Sequence, residues 1–237
     1  MTGSNIPGRN KLTARVLAGF GMLAASLSAH ALVIDINSYV TGSGATLNTT
    51  VATLTLTQNG SNVDFSFNNL VNNLSSGVGD DAFISELLFS YDRMPSLTTA
   101  SFSNFGGSQP ITASAFAISP PGKDAGYDFY LALSYPTSTG NRFTHGEFST
   151  WTISNVVIAD FLQPVSGSGP ASLAMAHIQQ VGAGPGGVGS VKYAGSDNSD
   201  PPQLAENPVP EPGSLALLLA GLVGFGAIYR RPSRTTL

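Results

Sequence analysis

The chain has 237 residues and no cysteine. That excludes disulfides, thiolate metal centres and cysteine nucleophiles, so packing alone must hold the fold. Charge is scarce as well: Asp, Glu, Lys and Arg make up 10% of residues. The bases sit mostly at the ends. Arg9, Lys11 and Arg15 stand early, Arg230, Arg231 and Arg234 stand late, and only Arg93, Lys123, Arg142 and Lys192 lie between. Those four face fourteen acids, so the long middle offers no basic patch and nucleic acid is excluded as a partner. Ser, Thr, Asn and Gly supply the polarity instead, which suits a non-cytosolic β-protein. Neither an HExxH metal signature nor a GxSxG nucleophile elbow occurs.

Long apolar runs are confined to the two ends. Near the start, the three bases precede "VLAGFGMLAASLS" (16–28) and "AHA" (29–31). A basic region, an apolar stretch and a small-x-small exit compose a secretory signal peptide. Ala29 and Ala31 are its expected cleavage-site residues, and the mature chain is expected to begin at Leu32. Near the end, Leu215 to Tyr229 is uncharged. As a helix it would be about 22 Å long, a short membrane span. Arg230 and Arg231 follow as a membrane stop, which keeps the preceding chain outside. Before the span, Pro210-Glu211-Pro212 is expected to be extended, because proline lacks an amide donor and restricts its neighbour.

This tail, "VPEPGSLALLLAGLVGFGAIYRR", resembles the PEP-CTERM sorting domain of exported bacterial proteins. Val209, Pro210, Glu211, Pro212 and Gly213 correspond to the signature, Leu215–Tyr229 to its helix, and Arg230 and Arg231 to its basic stop. Pro232-Ser233 departs mildly from an unbroken basic cluster. The resemblance implies export by the Sec machinery, transient anchoring in the inner membrane and processing by an exosortase-type membrane peptidase. It further implies a cell-surface or extracellular destination in a Gram-negative, biofilm-forming bacterium, with exopolysaccharide as a neighbour.

The expected organisation is a signal peptide (1–31), a β-sandwich body (32–196), a proline-rich linker (197–208) and the sorting and anchor segment (209–237). The body is expected to be mainly β: a single antiparallel sandwich or jelly-roll-like domain. "VATLTLTQNGSNVDFSF" (51–67) alternates on both sides of Asn59-Gly60, a type I′ hairpin signal. A two-residue turn there pairs Leu56 with Val63, Leu54 with Phe65 and Ala52 with Phe67. Thr53, Thr55, Asp64 and Ser66 then share the opposite face. Further strands are expected where Phe83, Leu87, Phe89 and Tyr91 share a parity, over Tyr127–Tyr135, and at 147–154, 171–181 and 190–194. "FISELLF" fits a helical period equally well, and "ASLAMAHIQQ" has helical composition.

No catalytic, cofactor-binding or metal residue is assigned. With His30 removed, His145 and His177 remain, and two distant histidines define no site; His177 is expected to be a half-buried strand residue. Glu86 and Glu147 are the pair a glycosidase would need. Asp80-Asp81 and Asp124/Asp128 offer oxygen ligands for calcium, though solvated loop acids are the simpler reading. Gly182–Gly187 matches GxGxxG without the following helix a dinucleotide site requires. Trp151 could stack on a sugar but is expected in the core. The leading expectation is a non-enzymatic surface or matrix protein. The alternatives are a carbohydrate-binding module, with or without calcium, and a secreted hydrolase.

Overall fold

The computed structural model describes residues 31–45, 48–74, 81–120, 122–182 and 189–196. Eleven strands appear among them. They are β1 (Ala31–Gly42), β2 (Ala52–Asn59), β3 (Asn62–Asn69), β4 (Phe83–Phe89), β5 (Phe102–Gly107) and β6 (Phe116–Ile118), then β7 (Leu131–Ser134), β8 (Phe143–Thr144), β9 (Phe148–Ser154), β10 (Ser172–Val181) and β11 (Gly189–Ser196). The body is mainly β and its strand pairs are antiparallel. Pairing follows one unbroken path, β5-β9-β3-β2-β1-β11-β10-β4-β7-β6, with β8 attached to β4. The expected sandwich thus takes the form of a single curled sheet rather than two separately paired ones. The predicted C-terminal helix and the signal peptide before Ala31 lie outside the described residues.

Curling brings the two arms of the sheet face to face. Phe65 of β3 lies 5.9 Å from Phe89 of β4, and Phe67 lies 6.2 Å from Tyr135, measured between ring centroids. Trp151 of β9 stacks on Phe65 at 5.1 Å with a 7° interplanar angle. At the open seam, Phe102 of β5 stacks on Phe116 of β6 at 4.2 Å. The two end strands therefore meet through aromatic packing rather than backbone bonds. The exposed backbone of an edge invites foreign strands; here β6 is three residues long and β5 is bulged.

The β2–β3 hairpin keeps its expected faces but not its register. Leu54 pairs with Phe67, Leu56 with Phe65 and Asn59 with Asn62. The turn is centred on Gly60-Ser61, one residue later than Asn59-Gly60, so every cross-strand partner moves by two. A two-residue shift leaves side-chain parity intact. Hence Leu54, Leu56, Val63, Phe65 and Phe67 are still buried together. Gly60 leads the turn at φ +59°, as a Gly-first type II′ turn requires. Consecutive positive φ values, the I′ pattern, occur instead at Ala125 (+47°) and Gly126 (+80°), between the mutually bonded Asp124 and Tyr127.

Both ambiguous segments are strands. In β4, His177 of β10 pairs with Glu86 while the next residue, Ile178, pairs with Ile84, so Ser85 is bulged. The bulge puts Ile84 and Leu87 on the same inner side, which imitates a helical i, i+3 spacing. It also reverses the parity of Phe83, which is covered by the Arg142 guanidinium 4.4 Å from its ring centre. The run Tyr127–Tyr135 is strand only over Leu131–Ser134. Leu131, Leu133 and Tyr135 join the main core. Tyr127 and Phe129 belong to a second cluster with Leu88, Ala132, Met175 and Ala194.

That second cluster covers the outer face of β4, β7, β10 and β11. Tyr127 anchors it: its hydroxyl donates to the Pro170 carbonyl at 2.8 Å and accepts from the Gly169 amide at 3.1 Å. A Cβ on Gly167 would fall 2.2 Å from the Tyr127 ring. The "SGSGP" stretch is thus a seat for tyrosine as well as a turn.

Candidate functional site

Two polar arrays lie on the outside of the curled sheet. The first runs across β4, β10 and β11, where Glu86, His177 and Lys192 occupy one cross-strand row. The Ser190 hydroxyl lies 2.6 Å from His177 Nε2. Lys192 forms an ion pair with Asp124. Burial holds His177 below its ordinary pKa, against the opposing pull of Glu86. Lys192 is lowered for the same reason, again against Glu86. At neutral pH the imidazole is therefore uncharged and can share a proton with Ser190. Acid, imidazole and hydroxyl stand in the order of a hydrolytic relay, but no hydrogen bond joins Glu86 to His177 among the described residues. A relay needs that bond to fix the imidazole. A cavity of about 240 Å³ beside Glu86 is lined also by Lys123, Asp124 and Tyr127.

The second array lies over β2, β3, β9 and β5. An open groove of about 410 Å³ is floored by outward side chains of these strands. Thr55, Ser66 and Thr150 form one row in register. Thr57, Asp64 and Thr152 form the next. The Asp64 carboxylate accepts from Thr152 Oγ1 at 2.6 Å and from Asn59 Nδ2 at 2.8 Å. Asn104 Nδ2 donates to Thr152 Oγ1 at 3.2 Å. Trp151 and Phe65 give this groove only their backbone side, since their rings point into the core.

The sequence-predicted chemistry is distributed differently. His177 is the half-buried strand residue expected. His145 is exposed, its Nδ1 3.4 Å from the Asn72 amide. Glu147 binds back to Thr144 through its amide and its hydroxyl, the latter at 3.0 Å, and so closes the β8–β9 turn. It does not line the cavity beside Glu86. Asp124 is engaged by Lys192, Asp128 is exposed, and Asp80 lies outside the described residues. No group of three potential metal ligands occurs among the described residues. Of Gly182–Gly187, residues 183–187 lie outside the described residues; the next described element is strand β11 rather than the helix a dinucleotide site requires. Trp151 is 1% exposed, as expected of a core residue.

Of the cleavage residues, Ala31 opens β1 opposite Thr57, and Leu32 behind it is buried opposite Leu56. Ala29, the signature Val209–Gly213 and the stop Arg230 and Arg231 lie outside the described residues. The hydroxyl groove was half legible: Thr53, Thr55, Asp64 and Ser66 were expected on one face. That β9 would add Thr150 and Thr152 follows from long-range pairing, which periodicity does not encode.

Comparison with known proteins bears on the tail. Neither the curated proteins nor the solved structures include a match to the chain. A family model, described as the PEP-CTERM protein-sorting motif, matches residues 208–233. The matched span includes the Pro-Glu-Pro triplet, the apolar run and both arginines of the stop. The chain therefore carries a PEP-CTERM sorting motif, the mark of an exported protein that is held transiently in the membrane and handled by exosortase-type machinery.

Proposed function

We propose that this chain is a non-enzymatic cell-surface or extracellular-matrix protein, structural or adhesive in an exopolysaccharide setting. The motif at 208–233 carries the reading. The signal peptide takes the chain to the Sec machinery, the tail holds it in the inner membrane, and exosortase-type processing passes the body outward. The body's chemistry fits that destination. It has no cysteine to depend on a redox compartment, and most of its aromatic residues, Phe148 excepted, are spent on packing. The Ser190–His177 pair lacks a bonded third member, so hydrolysis is the weaker reading.

The test is to express the full chain in a Gram-negative host with an exosortase and in the same host without it. Surface protease treatment and N-terminal sequencing report the outcome. The reading expects a surface-accessible body beginning at Leu32 in the first host and inner-membrane retention in the second. Cytoplasmic protein in both, with residues 16–28 still attached, would contradict it.

A further inference from the structure

We propose that the groove over β2, β3, β9 and β5 is a binding site for a neutral polysaccharide. The inference rests on the surface-protein reading and names a ligand class for it. Its first support is unengaged polarity. Thr55, Thr57, Ser66 and Thr150 line the groove, and no hydrogen bond to their hydroxyls occurs among the described residues. Each hydroxyl is both donor and acceptor. Neighbouring strands lie roughly 4.8 Å apart, with alternate residues about 6.8 Å apart along a strand, so these hydroxyls form a two-dimensional grid. A chain of repeating sugars presents the same two-way chemistry along its length.

Its second support is preorganisation. Asp64 is held between Thr152 and Asn59, and Asn104 completes the network. Asn104 stands at φ +52° in the β5 bulge between Ser103 and Gly106. Bulges of this kind re-aim side chains beside binding sites. A Cβ on Gly106 would lie 2.9 Å from Thr150 Oγ1, so glycine leaves that hydroxyl open. Phe148, two residues before Thr150 on β9, has the same parity and is 40% exposed. It offers an apolar ring for a sugar face at the end of the grid.

Charge selects the ligand. Among the described residues, Asp64 is the only ionisable residue lining the groove, and no base joins it. A polyanion would meet an unpaired negative charge. Nucleic acid is excluded on the same ground. A peptide adding as a strand needs an open edge, whereas β2, β3 and β9 are paired on both sides.

The experiment is affinity gel electrophoresis of the protein released from the exosortase-bearing host. Hydroxyethyl cellulose, dextran and mannan are the neutral probes and alginate the polyanion. The double variant Thr55→Val, Thr150→Val removes two hydroxyls but keeps β-branched shape, and circular dichroism checks its fold. Retardation by at least one neutral probe, insensitive to added salt, is expected. The double variant should bind about tenfold more weakly, as expected for two lost hydrogen bonds. Phe148→Ala, at an exposed position, should weaken binding independently. Retardation by no neutral probe, by alginate alone, or equally in the double variant would overturn the site. Surface display of each variant is scored in the same cells. Weakened binding by a groove variant with display intact supports the groove, and absent binding by the displayed unaltered chain counts against it, whereas lost display of the unaltered chain counts against the surface reading.

Discussion

The two arms of the sheet are built on different plans. In the arm formed by β2, β3 and β9, one face is buried and the other is mostly polar and half exposed, so burial alternates along β2 and β3, and in β9 it is broken at Thr152, which is buried as well. In the arm formed by β4, β7, β10 and β11, the inner face meets the main core and the outer face lies under Tyr127 and Phe129. Burial there is nearly continuous, as in β4, where only Glu86 is partly open. The first arm keeps a free polar face; the second covers most of its outer face with packing and leaves only the Glu86–His177–Lys192 row partly open. A binding surface can therefore exist on the first arm without competing with the core.

Aspartate substitution tests this contrast most severely. Leu87 and Leu88 are adjacent residues of β4, buried on opposite faces at 0% and 5% exposure. Leu87→Asp and Leu88→Asp should each cost more than about 3 kcal/mol, because both bury an unpaired charge. In β2, Leu54→Asp should be as costly, while Thr55→Asp should cost about 1 kcal/mol or less. Urea midpoints check the set. A mild Leu88→Asp would mean that the outer cluster is not a second core.

The packing of that cluster is sharpened by Gly167→Ala. The added methyl would collide with the Tyr127 ring, and overpacking of this kind costs roughly 1–3 kcal/mol. Gly60→Ala, with open space around it but a positive φ, separates backbone strain from collision. If both variants melt together with the parent, the tyrosine seat is not tight.

A smaller effect is expected from pH. Burial depresses the folded-state pKa of His177, so the unfolded chain takes up its proton first as pH falls. Stability from this group is then complete above the unfolded value of about 6.5. It declines below that pH toward the lower folded value. Glu86 and Lys192 face the imidazole in the same row, and Asp124 holds Lys192. His177→Gln should flatten the decline in melting temperature between pH 7 and 5. An unchanged slope would mean that His177 protonates equally in both states.

The same contrast explains how much of the fold was legible in the sequence. In the first arm, alternation in "TLTLTQ" and "VDFSF" reports which side chains share a face, and the structure keeps those faces. It does not report register, because moving the turn by one residue preserves parity. The second arm hides its strands. "FISELLF" reads as either period because both faces are apolar and the Ser85 bulge inserts an extra residue. The Tyr127–Tyr135 alternation spans two cores because the chain leaves the sheet before Leu131. Strands β5 and β6 carry no clear alternation, and their place at the seam comes from Phe102 meeting Phe116 across distant sequence. The sorting tail was fully legible, since a contiguous motif needs no folding to be read. The hydroxyl grid was legible only in the two strands joined by a short turn.

The central claim is that the C-terminal motif sorts this body to the outside, and the mass of the mature C-terminus tests it most directly. Substituting Pro210, Glu211 and Pro212 together by Ala leaves the apolar run and Arg230-Arg231 intact, so membrane insertion should persist. In a host with an exosortase, the parent chain should lose its apolar tail. The triple variant should accumulate in the inner membrane with Leu237 still present. Identical C-terminal processing of parent and variant would contradict the sorting role of the triplet.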